Sequence, residues 1–167
     1  MMQNSKMKIS HHLLYIFLFI LFCNSNASSQ SKFELSGGAG YPELINLKIK
    51  YGGNFKIGLC QSILPFYDPP IPLGPTVVEF YYHFAGKSAL TEQPPWYLLC
   101  GLGCFWNTPG GLYGKEGTHV CFYPRIGRNF NISKDTGINL DLGVFPFYYN
   151  SLFYIHPSLS LNLFFRL

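Results

Sequence analysis

From Phe33 onward, apolar and polar residues alternate with a period of two, and helical spacing is hard to find. The last ten residues are the clearest case. Leu159, Leu161, Leu163, Phe165 and Leu167 point one way, and Ser158, Ser160, Asn162, Phe164 and Arg166 the other. Ile138, Leu140, Leu142 and Val144 alternate with Asn139, Asp141 and Gly143. Val78, Phe80, Tyr82 and Phe84 alternate with Val77, Glu79, Tyr81 and His83. Ile45, Leu47, Ile49 and Tyr51 alternate with Asn46, Lys48 and Lys50, and Phe55, Ile57 and Leu59 with Lys56, Gly58 and Cys60. Phe33 and Leu35 alternate with Glu34 and Ser36, and two less regular strands cover about 95–105 and 119–132. The pattern predicts eight strands, most of them extensible to the roughly 9–11 residues that a tilted strand needs to cross hydrocarbon. Eight is an even number, and closure would leave no unpaired edge.

The connections alternate in character. Gly52-Gly53-Asn54 and Ser133-Lys134-Asp135-Thr136 read as tight turns. Leu64–Pro75, Trp106–Gly117 and Phe147–Pro157 read as longer loops at the other end. The segment Gly86–Pro95 is long for a turn, and Tyr41-Pro42-Glu43 is short for an outer loop. No internal repeat, low-complexity tract or second domain stands out.

The first 27 residues read differently and predict a secretory signal peptide over 1–27. Lys6, Lys8, His11 and His12 precede the apolar run Leu13–Cys23, and Ser25 and Ala27 supply small residues for cleavage before Ser28. The run is shorter than the roughly 20 residues of a membrane helix. Cys23 could be lipidated in principle, but Phe22 before it is bulky for that. The remaining domain, 28–167, holds no apolar stretch long enough for a membrane helix, so any membrane embedding must use strands.

Composition changes the picture by deciding which face is outside. Charged residues make up only 12% of the chain and aromatics 18%, whereas a soluble domain averages about 25% charged. A soluble barrel would crowd Lys and Glu onto its exterior. Here the scarce mid-strand charges fall on the face opposite the Leu, Ile, Val and Phe, which predicts an interior network of Glu34, Lys48, Lys50, Lys56, Glu79, His83, Arg125, Asp141 and Arg166. Arg128 lies three residues after Arg125 and must then face outward, where a position near the rim would cost only about 0–1 kcal/mol. The expected fold is an all-β, closed, antiparallel, up-and-down eight-stranded transmembrane β-barrel. Removing Lys6 and Lys8 from the 12 basic residues leaves 10 against 8 acidic ones, with no basic run, so no nucleic-acid partner is expected.

With these features the chain resembles small outer-membrane β-barrel proteins of Gram-negative bacteria, of the kind common in the Bacteroidota (outer membrane protein beta-barrel domain). The segments carrying the resemblance are Phe80-Tyr-Tyr-His-Phe-Ala-Gly-Lys87, Pro94-Pro-Trp-Tyr97 and Arg125-Ile-Gly-Arg-Asn-Phe130. The strand Leu159–Leu167 looks like the family's assembly signal, with Leu167 where an aromatic is usual and Phe165 two residues before it. The resemblance implies the outer membrane, reached through the general secretory pathway. Its implied partners are outer-membrane lipid and lipopolysaccharide, and the barrel-assembly machinery during insertion. A monomer is expected.

The resemblance leaves activity open, because such barrels include structural proteins, lipid-modifying enzymes and adhesion factors. The leading reading is a structural or surface-interaction role, with a lumen filled by a charge network and no open pore. The alternative is a lipid A-modifying hydrolase or acyltransferase, for which His83, Glu79 and Ser88 are the catalytic candidates. A soluble exported ligand-binding barrel is the third. No cofactor or metal is expected: His83, His119 and His156 are widely separated, and Gly37-Gly38-Ala39-Gly40 has no helix after it to hold phosphate. Cys60, Cys100, Cys104 and Cys121 are an even set that permits disulfides, with free thiols preferred. Phe66, Tyr67, Trp106, Tyr113, Tyr148, Tyr149, Phe153 and Tyr154 are expected near the outer rim, as an interfacial girdle or a surface for a ligand.

Overall fold

The computed structural model describes residues 32–63, 75–107, 117–149 and 152–167. The segment 1–27, predicted to be a signal peptide, lies outside the described residues, as do Phe66, Tyr67 and Tyr113. The chain forms β1 (Lys32–Tyr41), β2 (Leu44–Gly52), β3 (Phe55–Ile63), β4 (Thr76–Ala85), β5 (Trp96–Asn107), β6 (Gly117–Asn131), β7 (Thr136–Tyr149) and β8 (Leu152–Arg166). Each strand pairs antiparallel with its sequence neighbours, and β8 returns to β1, closing the barrel. No helix occurs among the described residues.

Strand alternation sets the two faces. On β2 the residues from Ile45 to Tyr51 are exposed and buried in strict turn, and β4 repeats the pattern from Thr76 to Phe84. On β8, Leu159, Leu161, Leu163 and Phe165 are exposed, while Ser158, Ser160, Asn162, Phe164 and Arg166 are buried. Every buried charge therefore points into the barrel and every apolar stripe points out.

One end of the barrel carries three compact connections. At the first, Gly52 has φ +137°, and a Cβ there would collide with the Phe55 carbonyl, so only glycine fits. At the third, Ser133 Oγ accepts from the Asp135 and Thr136 amides at 3.2 and 3.0 Å. The longer middle connection, 86–95, is tied to both. Gln93 Nε2 donates to the Gly53 carbonyl at 2.6 Å, and Asn131 Nδ2 donates to Ser88 Oγ at 3.0 Å.

One expectation changes at the opposite end. Phe147–Pro157 is not a long loop: β7 and β8 stay paired up to Tyr149↔Leu152, leaving two residues between them. Aromatic and β-branched residues favour strands, and here they outweigh Pro146 and Pro157, which sit inside the ladder opposite Ile155 and Val144. Tyr41-Pro42-Glu43 is short, as its sequence suggests, with only Pro42 and Glu43 between β1 and β2. Pro42 and Glu43 are buried, and Leu44 turns the chain with φ 56°.

Inside, an apolar cluster of Cys60, Val77, Tyr81, Tyr97, Leu99, Cys121, Tyr123 and Phe145 packs between the charges. Glycines make room for the rings. A Cβ on Gly101 would run into the Tyr123 ring, and one on Gly127 into the Tyr97 ring and the Asp141 carboxylate.

Candidate functional site in the barrel interior

The interior places four carboxylates, Glu34, Glu43, Glu79 and Asp141, against five cations, Lys48, Lys50, Lys56, Arg125 and Arg166, all of them buried. A buried charge must regain by pairing the hydration it loses. The side chains do so in three tiers.

At the turn end, Glu34 of β1 gathers cations from β2, β3 and β8. Lys50 Nζ donates to its Oε1 at 2.8 Å and Lys56 Nζ to its Oε2 at 2.5 Å. Arg166 Nε lies 3.5 Å from Oε2. The register explains the gathering, because Glu34 sits opposite Lys50 on one side and Arg166 on the other.

In the middle tier, Lys48 Nζ donates to Glu79 Oε1 at 2.8 Å, and Tyr123 OH donates to the same oxygen at 2.9 Å. Tyr81 OH donates to the other oxygen of Glu79, and Tyr97 OH donates to Asp141. Lys50 lies over the Tyr81 ring at 4.8 Å.

At the loop end, Arg125 grips Glu43 with both terminal nitrogens at 2.6 Å, the two-pronged geometry that suits guanidinium to carboxylate. Its Nε donates to Ser158 Oγ at 2.6 Å, and its guanidinium stacks 4.2 Å over Tyr123. Ser158 Oγ in turn donates to the Tyr41 carbonyl at 3.0 Å, and the Tyr41 hydroxyl bonds His156 Nδ1 at 3.1 Å.

All nine residues read from the sequence as interior are buried in the barrel. His83 stands apart from the ion pairs: its Nδ1 bonds the Pro94 carbonyl at 2.8 Å and its ring packs on Tyr97. Sequence reasoning missed Glu43, which sits in a turn where strand parity says nothing. It also passed over Tyr81, Tyr97 and Tyr123, whose inward parity was readable but whose hydroxyls were not read as partners for the carboxylates.

The catalytic candidates are not brought together. Glu79 is held by Lys48, Tyr81 and Tyr123, His83 by Pro94, and Ser88 Oγ by Leu90 and Asn131. No hydrogen bond joins any two of the three. Glu43, Cys60 and Glu79 do place three ligand-type atoms within 4.8 Å of one another. Lys48 lies 2.8 Å from Glu79 and 3.8 Å from Glu43, so an ammonium already supplies the positive charge there.

The four cysteines are free thiols, Cys60 and Cys121 buried, Cys104 exposed and Cys100 between. Of the rim aromatics, Phe153 and Tyr154 are exposed on β8. The side chains of Trp106, Tyr148, Tyr149 and His119 lie outside the described residues. Arg128 faces outward, between the Trp96 ring at 5.3 Å and the Phe130 ring at 5.0 Å.

No family model matches this chain, and no curated protein matches it. Among solved structures, the chain is similar to the N-terminal β-barrel domain of Pseudomonas aeruginosa OprF. The TM-score is 0.54 at 15% identity, over 82% of this chain and 96% of that one. It is also similar to the E. coli outer membrane protein W solved in solution, with a TM-score of 0.47 at 9% identity, over 84% of this chain and 100% of that one. At this identity the OprF likeness establishes the fold, an eight-stranded barrel resembling those of outer-membrane proteins.

Proposed function

We propose that this chain is an integral outer-membrane β-barrel protein with a structural or surface-interaction role. Its lumen is filled by a polar charge network and is not an open ion pore. The observation that carries the reading is the outer wall. Among the strand residues whose side chains are described, Arg128 is the one exposed charge, and the rest of the exposed wall is almost entirely Leu, Ile, Val, Phe, Tyr and Trp. Soluble monomers rarely expose an apolar patch beyond a few hundred Å², whereas a barrel in lipid needs such a belt. A soluble ligand-binding barrel would invert both faces. Arg128 belongs to the same picture: it is three residues from the end of β6, with Trp96 and Phe130 beside it, as suits a side chain reaching a headgroup layer.

The host is a Gram-negative bacterium of the Bacteroidota type, a reading that rests on the three quoted segments. The leader at 1–27 directs export through the general secretory pathway. The barrel-assembly machinery inserts the chain as a monomer among phospholipid and lipopolysaccharide, and the loop end, with Phe153 and Tyr154, faces outward toward any surface ligand. The closed set of ion pairs supports a structural interior over a lipid A-modifying centre, because Glu79, His83 and Ser88 are engaged elsewhere.

Fractionation and electrophysiology test this directly. The protein should co-purify with the outer membrane, resist carbonate and salt extraction, and give no steady ion conductance in planar bilayers. Recovery in the soluble periplasm would overturn the membrane reading, and a sustained ion conductance would overturn the filled lumen.

A further inference from the structure

One inward-facing row of residues is unlike the ion-paired tiers. Strand register aligns Ser62 of β3, Asn46 of β2, Gly38 of β1, Asn162 of β8, Asn139 of β7 and Asn129 of β6, each directly opposite the next. Apart from the glycine, every member is at most 4% exposed. Each of those five also holds a buried polar atom that no protein group satisfies: Ser62 Oγ, both amide atoms of Asn46, and the Oδ1 of Asn162, Asn139 and Asn129. Buried polar atoms left without a partner are rare and costly. Five such residues on six successive register positions make a pattern, and it indicates a small hydrogen-bonding occupant.

The row also has a direction. Register lines climb a tilted barrel as they pass around it. Ser62 lies at the loop end, where its amide donates to the Pro75 carbonyl ahead of β4 at 3.1 Å. Asn129 lies at the turn end, where its amide donates to the Pro95 carbonyl ahead of β5 at 2.9 Å. The row therefore runs from one mouth of the barrel to the other.

We infer that this row binds a file of water molecules that crosses the barrel along its wall and lets water, but not ions, pass. The inference rests on the membrane reading above. The chemistry selects water: primary amides and hydroxyls offer both donors and acceptors, and none is charged. The spacing suits it too. Neighbouring strands lie about 4.8 Å apart, and one water bonded at about 2.8 Å to each of two adjacent side chains spans that gap. Gly38 keeps the row open where β1 crosses it. A Cβ there would fall 2.7 Å from Asn162 Oδ1, so that amide oxygen lies in the space the missing side chain leaves. Ions find no compensating charge in the row itself, and Lys48, Lys50, Lys56 and Arg125 are already paired with Glu79, Glu34 and Glu43.

Stopped-flow light scattering on proteoliposomes tests this. Vesicles carrying the wild-type protein should shrink several-fold faster than protein-free vesicles under an osmotic step, with no ion conductance. Asn139→Leu, which keeps the side chain's size and removes its hydrogen bonds, should return the rate to the protein-free value. Asn139→Ser, which keeps a hydroxyl, should retain most of the increase. Flotation with the vesicles and a heat-dependent shift in gel mobility establish insertion for each variant. If wild type and Asn139→Leu both float and shrink equally fast, the water file is wrong. If wild type floats and shrinks at the protein-free rate, the file is also wrong, while the membrane reading stands. A wild-type chain that neither floats nor shows the shift overturns the membrane reading and the water path with it. Should Asn139→Leu alone fail to insert, Asn46→Leu on the far side of the row takes its place with the same expected loss.

Discussion

At Arg125 two hydrogen bonds to Glu43 and one to Ser158 replace the hydration that burial removes. Breaking such a pair leaves a charge alone in the interior, which typically costs about 3–5 kcal/mol. Arg125→Ala should therefore lower stability by about that amount in urea titrations of the vesicle-inserted protein. The double variant Arg125→Met with Glu43→Leu should recover most of the loss, because a fully apolar replacement removes both charges together. If the single and double variants fall equally, the pair is not what holds that tier. At this scale the sequence was legible wherever a charge sat mid-strand, since parity alone sends Glu34, Lys48, Lys50, Lys56, Glu79 and Asp141 inward. Glu43 was not legible. It lies in the two-residue connection between β1 and β2, and only the three-dimensional closure of that turn carries its carboxylate down to Arg125.

Strands in this chain are defined by their alternation and misjudged by their prolines. Pro157 reads as a loop residue, yet it sits opposite Val144 in a hairpin that continues to Tyr149 and Leu152. Local turn chemistry lost to the long aromatic run around it, and the run's own propensity was the signal available. The Ser133 turn was legible for the opposite reason: a hydroxyl that caps two backbone amides is a local device, needing nothing from the rest of the barrel. Packing between elements was less visible. Gly127 looks like an ordinary strand glycine in the sequence, but the Tyr97 ring and the Asp141 carboxylate occupy the space its side chain would need. Gly127→Ala should destabilise the barrel by about 1–3 kcal/mol, the usual penalty of overpacking. Adding Tyr97→Leu should restore part of it, giving a favourable coupling between the two sites in a double-mutant cycle. Simple additivity would show that the ring and the glycine are independent.

Taken whole, the molecule turns a soluble barrel inside out. Its charges face one another across a narrow interior, among buried aromatic rings, and its outer wall is apolar. The depth dependence of charge on such a wall gives a direct contrast. Leu102→Lys on the outer face of β5 should cost about 2–4 kcal/mol if the wall meets hydrocarbon, whereas Arg128→Leu near the turn end should change stability by about 0–1 kcal/mol. Equal costs for both would mean that the wall meets water. This inversion was readable from composition and parity together: 12% charge is too little to cover a soluble exterior, and the few charges fall on one face of each strand. What no pattern in the sequence conveyed was the order of the interior, with its tyrosine hydroxyls on Glu79 and Asp141 and its amide row, because those depend on how eight strands are staggered against one another.

The division of faces can be measured without altering the protein. Methyl-labelled protein in lipid nanodiscs, with a nitroxide placed midway along the acyl chains, reports by NMR relaxation which side chains touch hydrocarbon. The methyls of Leu98, Leu102, Leu142, Leu161 and Leu163 should be strongly broadened. Those of Val77 and Leu99, one residue removed from exposed neighbours on the same strands, should be spared. Broadening of Val77 and Leu99 equal to that of their neighbours, or no broadening at any of these sites, would contradict the account.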